Sequence, residues 1–161
     1  MQMRLGSLEF SHWPEVRRIY LEGIASGHAT FETEAPDWPR WDSEHLPHSR
    51  LIAIVDESVA GWAALSPVSR RSVYAGVAEV SVYVAAEHRG RGIGKALLRE
   101  LISKADQNGI WTLQASIFPE NETSIALHLD CGFCEVGRRQ KIAQLNGVWR
   151  DTLLLERRTK K

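Results

Sequence analysis

The chain has 161 residues, 43% hydrophobic and 25% charged, with 20 basic side chains balanced by 20 acidic ones. This length favours one domain (1–161) with a sizeable core, and the lack of a basic excess argues against a general nucleic-acid binder. No apolar run reaches membrane-spanning length, and the N-terminal MQMRLGSLEF lacks a signal-peptide hydrophobic region, so the expectation is a cytoplasmic chain with no membrane partner.

Residues 2–8 suit a first strand. Pro14 fits the first turn of a helix reaching Ser26, with Val16, Ile19, Tyr20 and Ile24 on one face and Gly27 as the stop. HATFETEAP (28–36) reads as irregular and DWPRWDSEHL (37–46) as a second, short helix. Strands follow at 50–56 and 59–66, joined through Asp56, Glu57 and Ser58. A polar loop, PVSRRSVYAG, leads to the clearest strand, VAEVSVYVA at 77–85. Ala78, Val80, Val82 and Val84 make one apolar face, while Val77, Glu79, Ser81 and Tyr83 point the other way. The next helix spans 91–107: Ile93, Leu97, Leu101 and Ala105 recur every fourth residue, with Leu98 and Ile102 alongside, and Asn108-Gly109 closes it. After a strand at 111–117, Asn121 is the expected N-cap of a helix through Asp130, and strands near 133–143 and 147–156 finish the chain. The order βααβββαβαββ predicts an α/β layered fold with a mixed sheet.

CGFC at Cys131–Cys134 has the spacing of a redox motif, but it follows a helix instead of opening one, where the helix dipole would not lower a thiol pKa. Gly132 reads as the glycine that closes that helix, and both thiols as structural. Two cysteines cannot fill a four-ligand zinc site, and the six histidines show no ligand spacing beside them, so no metal is expected. Of the six tryptophans, five sit at apolar positions beside strands or helices and suggest core and pocket-wall packing.

The stretch EHRGRGIGKALLREL (87–101) carries the chemistry. Gly90, Gly92 and Gly94 bare the backbone at the mouth of a helix, where successive N–H groups attract an anion, and Arg89 and Arg91 add charge. A Walker loop would need glycine at Arg89 and Ser or Thr at Ala96; a dinucleotide fingerprint would need glycine at Lys95. Taken alone, the stretch could equally be a glycine-rich surface turn with solvated arginines.

EVSVYV, HRGRGIGKALL, a strand and PENETSIALHLDCGF, in that order, resemble the GNAT family of acetyl-CoA-dependent N-acetyltransferases. ATFETEAPDWPRW, AEVSVYV, SIALHLDCGF and NGVWRDTLLLERR are similar to its phosphinothricin N-acetyltransferase group, and GWAALSPVS and VYAGVAEVSVYV to that group's arsinothricin-acetylating branch. The resemblance implies a GNAT fold, with a mixed, mostly antiparallel central sheet flanked by helices. It also implies acetyl-CoA as cosubstrate, a small glutamate-like amino acid as acceptor, a resistance role and a homodimer, with Trp149 at the dimer or active-site rim.

On that resemblance the pyrophosphate belongs on the N–H groups of Arg89, Gly90, Arg91, Gly92, Ile93, Gly94 and Lys95. The pantetheine arm belongs on the backbone of Val82, Tyr83 and Val84, with Asn121 and Ser124 nearby; Asn121 can also be a plain helix cap. Glu79, a carboxylate in mid-strand, is the candidate general base; its alternative is an ion pair with a nearby arginine. His128 matches a histidine discussed as catalytic in the group, though the pattern alone suits a core or cap histidine. Ser69, Arg70 and Arg71 fall at the group's substrate loop, and Phe31, Glu34 and Ser81 complete the candidate acceptor pocket; by themselves the two arginines read as solvated. The donor of the thiolate's proton stays open between Tyr83 and water. Two further readings stand beside this one: acetylation of a protein N-terminus or lysine, and a non-catalytic acetyl-CoA or nucleotide sensor.

Overall fold

The computed structural model describes residues 2–160. Seven strands form one sheet: β1 (Met3–Ser7), β2 (Leu51–Val55), β3 (Ser58–Pro67), β4 (Val77–Val84), β5 (Thr112–Ile117), β6 (Cys134–Leu145) and β7 (Val148–Arg158). Their spatial order is β1-β2-β3-β4-β5-β7-β6. Every neighbouring pair is antiparallel except β4 and β5, which run parallel. Four helices flank the sheet: α1 (Trp13–Ser26), α2 (Trp38–Glu44), α3 (Ile93–Gln107) and α4 (Glu122–Asp130). The expected element order and the mixed, mostly antiparallel sheet are both present.

Alternation along the strands sorts side chains into two cores. On one face Leu97, Leu98 and Leu101 of α3 bury against Ala63, Leu65, Ala78 and Val80, with Ile125 and Leu127 of α4 at the margin. The other face is aromatic: Trp13, Trp41 and Trp62 pack with Val16 and Ile19, and Tyr20, Trp38 and Tyr83 close the edge. Two carboxylates fasten α1 to the sheet. Glu15 Oε2 accepts from the Val59 N–H at 3.0 Å, and Glu22 Oε1 from the Ala86 N–H at 3.2 Å.

Several boundaries move by a residue or two, each for a local reason. The helix expected from residue 91 starts at Ile93, because Gly90 and Gly92 hold left-handed φ values of 77° and 80°. The second helix ends at Glu44 because His45 is already extended. Trp111 departs from the expected core role: it is 49% exposed, its backbone drawn to the Gly76 carbonyl (2.7 Å) just ahead of β5. Trp149 is also half exposed. Gly132 does close α4: at φ 92° it donates to the Leu129 carbonyl, while the Phe133 N–H reaches His128 O. Burial raises the pKa of the Cys131 thiol, against redox use.

Candidate active site

The parallel pair β4–β5 positions the site. Its ladder runs from Val77↔Thr112 to Glu79↔Gln114 and stops, whereas β4 stays paired to β3 up to Val84↔Gly61. Beyond Glu79 the two strands part, and β4 presents one edge with no strand partner. Two cavities occupy this opening.

The larger, about 610 Å³, runs from Val82, Tyr83 and Val84 to the glycine loop at the start of α3. Arg89, Gly90, Gly92, Ile93, Gly94 and Lys95 line it, as do Asn121 and Ser124 of α4's first turn. Arg91 is exposed and lines neither cavity. Gly92 is the N-cap of α3 and supplies no capping side chain; the first intrahelical bond is Ala96 N–H to Gly92 O. The N–H groups ahead of Ala96 therefore face outward from the helix mouth. A Cβ built on Gly90 or Gly92 would meet nothing within 4 Å, so the cradle is bare backbone around open space. The donor set fits a phosphate-bearing anion.

The smaller cavity, about 250 Å³, lies on the other side of Tyr83. Glu79, Ser81, Phe31 and His128 line it, and it shares His28, Ala29, Val82, Tyr83, Asn121 and Ser124 with the larger one. Glu79 makes no ion pair among the described residues. Its Oε1 accepts instead from Gln114 Nε2 at 3.2 Å and Ser116 Oγ at 3.3 Å. A carboxylate held by two neutral donors keeps lone pairs for a proton.

His128 is 5% exposed, and its Nδ1 lies 2.7 Å from the Ser124 carbonyl. A carbonyl can only accept, so Nδ1 carries the proton and Nε2 is left as the ring's acceptor. Burial lowers the pKa of this imidazole, and the Ser124 bond opposes it weakly. The ring is thus held neutral, with Nε2 as its one acceptor, and burial makes it a weaker base than a free imidazole. Tyr83 stacks against Trp62 (4.8 Å) and Tyr20 (5.1 Å), which also stack on each other, and burial pushes its phenol well above the usual range. Asn121 is a helix cap and more: Oδ1 accepts from the Ser124 N–H, while Nδ2 donates to His28 O at 3.1 Å.

Glu34, Ser69, Arg70 and Arg71 are brought to neither cavity. The loop after β3 folds onto itself: Ser69 Oγ accepts from the Arg71 N–H, and the Arg71 guanidinium sits 5.6 Å over the Tyr74 ring. Sequence reasoning missed Gln114 and Ser116, although the alternation of TLQASI places both on one polar face of β5. It also missed His28, Thr30, Phe118, Thr152 and Arg150, which nothing local in the sequence marks.

The model of the "Acetyltransferase (GNAT) family" matches residues 13–133. The phosphinothricin N-acetyltransferase of Alcaligenes faecalis is 32% identical over 157 residues, covering 89% of this chain and 76% of that protein. The L-methionine sulfoximine/L-methionine sulfone acetyltransferase of Pseudomonas aeruginosa is 34% identical over 149 residues, covering 89% and 87%. Among solved structures, a phosphinothricin acetyltransferase of Sinorhizobium meliloti in complex with acetyl-CoA superposes with a TM-score of 0.88 at 29% identity, covering 98% of this chain and 89% of that one.

Proposed function

We propose that this chain, which belongs to the acetyltransferase (GNAT) family, moves an acetyl group from acetyl-CoA to the α-amine of a small amino acid of the phosphinothricin or methionine sulfoximine kind. One observation carries the reading: the Glu79 carboxylate lines a small cavity that continues past Tyr83 into a glycine-headed cleft. When bound, acetyl-CoA supplies an activated thioester. The α3 mouth, from Arg89 to Lys95, would hold its pyrophosphate, and the free edge of β4 at Val82–Val84 its pantetheine arm.

The rest falls to the chain's own groups. An α-ammonium must lose a proton before its nitrogen can attack, and Glu79 takes that proton directly or through one water. Gln114 and Ser116 fix the carboxylate's orientation without neutralising it. The C–N bond then forms and the C–S bond breaks; the nitrogen sheds its second proton, one proton passes to the departing sulfur, and CoA leaves as its thiol. Neither cysteine lines either cavity, so no thiol is placed there to form an acyl-enzyme. His128 is the second proton acceptor.

The finer assignments belong to the same reading. Arsinothricin, which carries arsenic in place of the phosphorus group, joins the candidate acceptors, and acetylating such compounds would confer resistance to them. The exposed Val136, Ile142, Val148 and Trp149 of the β6–β7 hairpin support pairing of two chains there. An acetyl-CoA substrate and two unpaired cysteines support a cytoplasmic home.

The test is CoA-thiol release with phosphinothricin, methionine sulfoximine and a free-N-terminal peptide as acceptors, for wild type and Glu79→Gln. The expected result is release with the amino acids, a fall of about 10²–10⁴-fold in kcat for the variant, and unchanged acetyl-CoA affinity. Release with the peptide alone would replace this function by protein acetylation. Binding of acetyl-CoA without release would leave a sensor.

A further inference from the structure

The two cavities share a roof, the strap Gly27–Phe31 between α1 and α2, of which His28, Ala29, Thr30 and Phe31 line the smaller cavity. Its regular hydrogen bonding ends with the Gly27 N–H, which closes α1 on Ile24 O. What holds the strap down comes from far along the chain. Arg150 on β7 donates from Nη1 to Gly27 O at 3.0 Å and from Nη2 to His28 Nδ1 at 3.3 Å. The same Nη2 pairs with Glu120 Oε2 at 3.3 Å, and the guanidinium lies 4.1 Å from the centre of the Phe118 ring. Phe118 in turn meets Phe31 edge-on at 4.8 Å, and both rings line the smaller cavity. Asn121 adds a weaker hold through its bond to His28 O.

Arg150 is 14% exposed, against 54% for Glu120, so its bond to the Gly27 carbonyl is sheltered while its carboxylate partner is wet. An exposed ion pair adds little, whereas the charged donor to the part-buried Gly27 carbonyl is a stronger bond, and the contact with the exposed His28 ring adds reach more than strength. The planar fork also reaches two strap acceptors at once, which a lysine ammonium at the end of a flexible stem does not reproduce.

We propose that Arg150 is a positioning residue for the acceptor: by tying the strap to β7 it fixes the spacing of the Phe31 and Phe118 walls, and so selects which amino-acid side chain the smaller cavity accepts. This rests on reading that cavity as the acceptor pocket. Arg150 acts through the strap and the two rings, and it lines neither cavity itself.

The experiment compares wild type with Arg150→Lys, Arg150→Met and Glu120→Gln. Hydrogen exchange at 27–31 is followed without ligands. KM and kcat are measured for phosphinothricin and methionine sulfoximine. In Arg150→Met, strap exchange rises about tenfold or more and acceptor KM rises by a similar factor, as loss of charge-assisted hydrogen bonds requires. Exchange in β5 and β7 stays as it was, and the kcat/KM ratio between the two acceptors moves toward one. Arg150→Lys falls between. Glu120→Gln, whose amide oxygen still accepts, shifts each quantity less than about threefold. Unchanged strap exchange in Arg150→Met overturns the proposal. So does a loosened strap with unaltered acceptor KM and ratio, or a Glu120→Gln effect equal to that of Arg150→Met. Should the wild type acetylate neither amine, the proposed function fails and the positioning role with it, while strap exchange still reports whether Arg150 holds the strap.

Discussion

Gly23→Ala sets two effects of similar size against each other, and the geometry decides between them. Gly23 sits inside α1, where replacing glycine by alanine normally stabilises a helix by about 0.8–1.0 kcal/mol. Here the new Cβ would lie 2.7 Å from Cε1 and 2.8 Å from Cδ1 of Tyr83. Comfortable carbon–carbon contact needs about 3.5–4.0 Å, so the ring or the helix must move by roughly 1 Å. Neither is free to. The ring is stacked on Trp62 and Tyr20, Trp62 is fully buried, and α1 is tied to the sheet through Glu15 and Glu22. Overpacking of this kind costs about 1–3 kcal/mol. The balance is a net destabilisation of about 1 kcal/mol, or a melting temperature lower by about 2–4 °C for a chain of this length.

Calorimetry and urea unfolding measure the stability, and amine-dependent CoA release measures the function. Because Tyr83 lines both cavities, its displacement should lower kcat/KM by about tenfold, more than the stability change alone accounts for. A double-mutant cycle isolates the cause. With Tyr83→Leu in place the obstruction is gone, and Gly23→Ala should become stabilising by the helix-propensity increment. A higher melting temperature for Gly23→Ala alone would refute the reasoning, as would a loss of stability undiminished in the Tyr83→Leu background.

Gly92→Ala should lower stability by about 1 kcal/mol through its φ of 80° and weaken acetyl-CoA binding seen by calorimetric titration; unchanged affinity would detach the glycine cradle from the cofactor. Asn121→Asp keeps the acceptor for the Ser124 N–H but not the donor to His28 O, so it should preserve α4 while loosening the strap, whereas Asn121→Ala loses about 1 kcal/mol with the cap; equal melting temperatures for the two would contradict this. Burial lowers the pKa values of His45 and His128, so near pH 6 the unfolded chain binds more protons than the folded one. The melting temperature should therefore be level above about pH 7 and fall below about pH 6.5, the unfolded imidazole's value; a rise on acidification from pH 7 to 5.5 would refute it.

What the sequence made legible is what depends on neighbours along the chain. The alternation of VAEVSVYV and the fourfold spacing from Ile93 to Ala105 each state a face, and the glycines between them state a turn into a helix mouth; strand, loop and helix appear as read. The partners of Glu79 were not legible, because they lie 35 and 37 residues away and reach it through strand pairing. An arginine partner was a fair expectation for a carboxylate in mid-strand, and β5 placed an amide and a hydroxyl there instead. Arg70 and Arg71 line neither cavity for a related reason: two guanidinium groups beside a strand carry no direction until the turn that follows them is known, and the turn through Ser72–Tyr74 takes Arg71 onto a tyrosine. The type of Trp111 and the strand after it point to the core, but the residue just ahead of a strand answers to the chain before it.

The most hidden residue is the one that joins the most parts. Arg150 reaches back 123 residues to Gly27 and 30 to Glu120, and its own neighbourhood, GVWRDT, reads as an ordinary edge of β7. Its position follows from topology. β4 and β5 are parallel, so the chain must cross over through α3 before β5 can form, and the pair then separates where its ladder ends at Glu79↔Gln114. A gap in a sheet exposes backbone on both sides and needs a roof; the α1–α2 strap supplies the roof, and β7, which pairs with β5 through Leu153–Arg158 and runs on past it to Arg150, is the strand placed to fasten it. The placement of Glu79, the free edge of β4 and the Arg150 contacts thus arise from one departure from regular pairing, and a change that closed that gap would remove all three together.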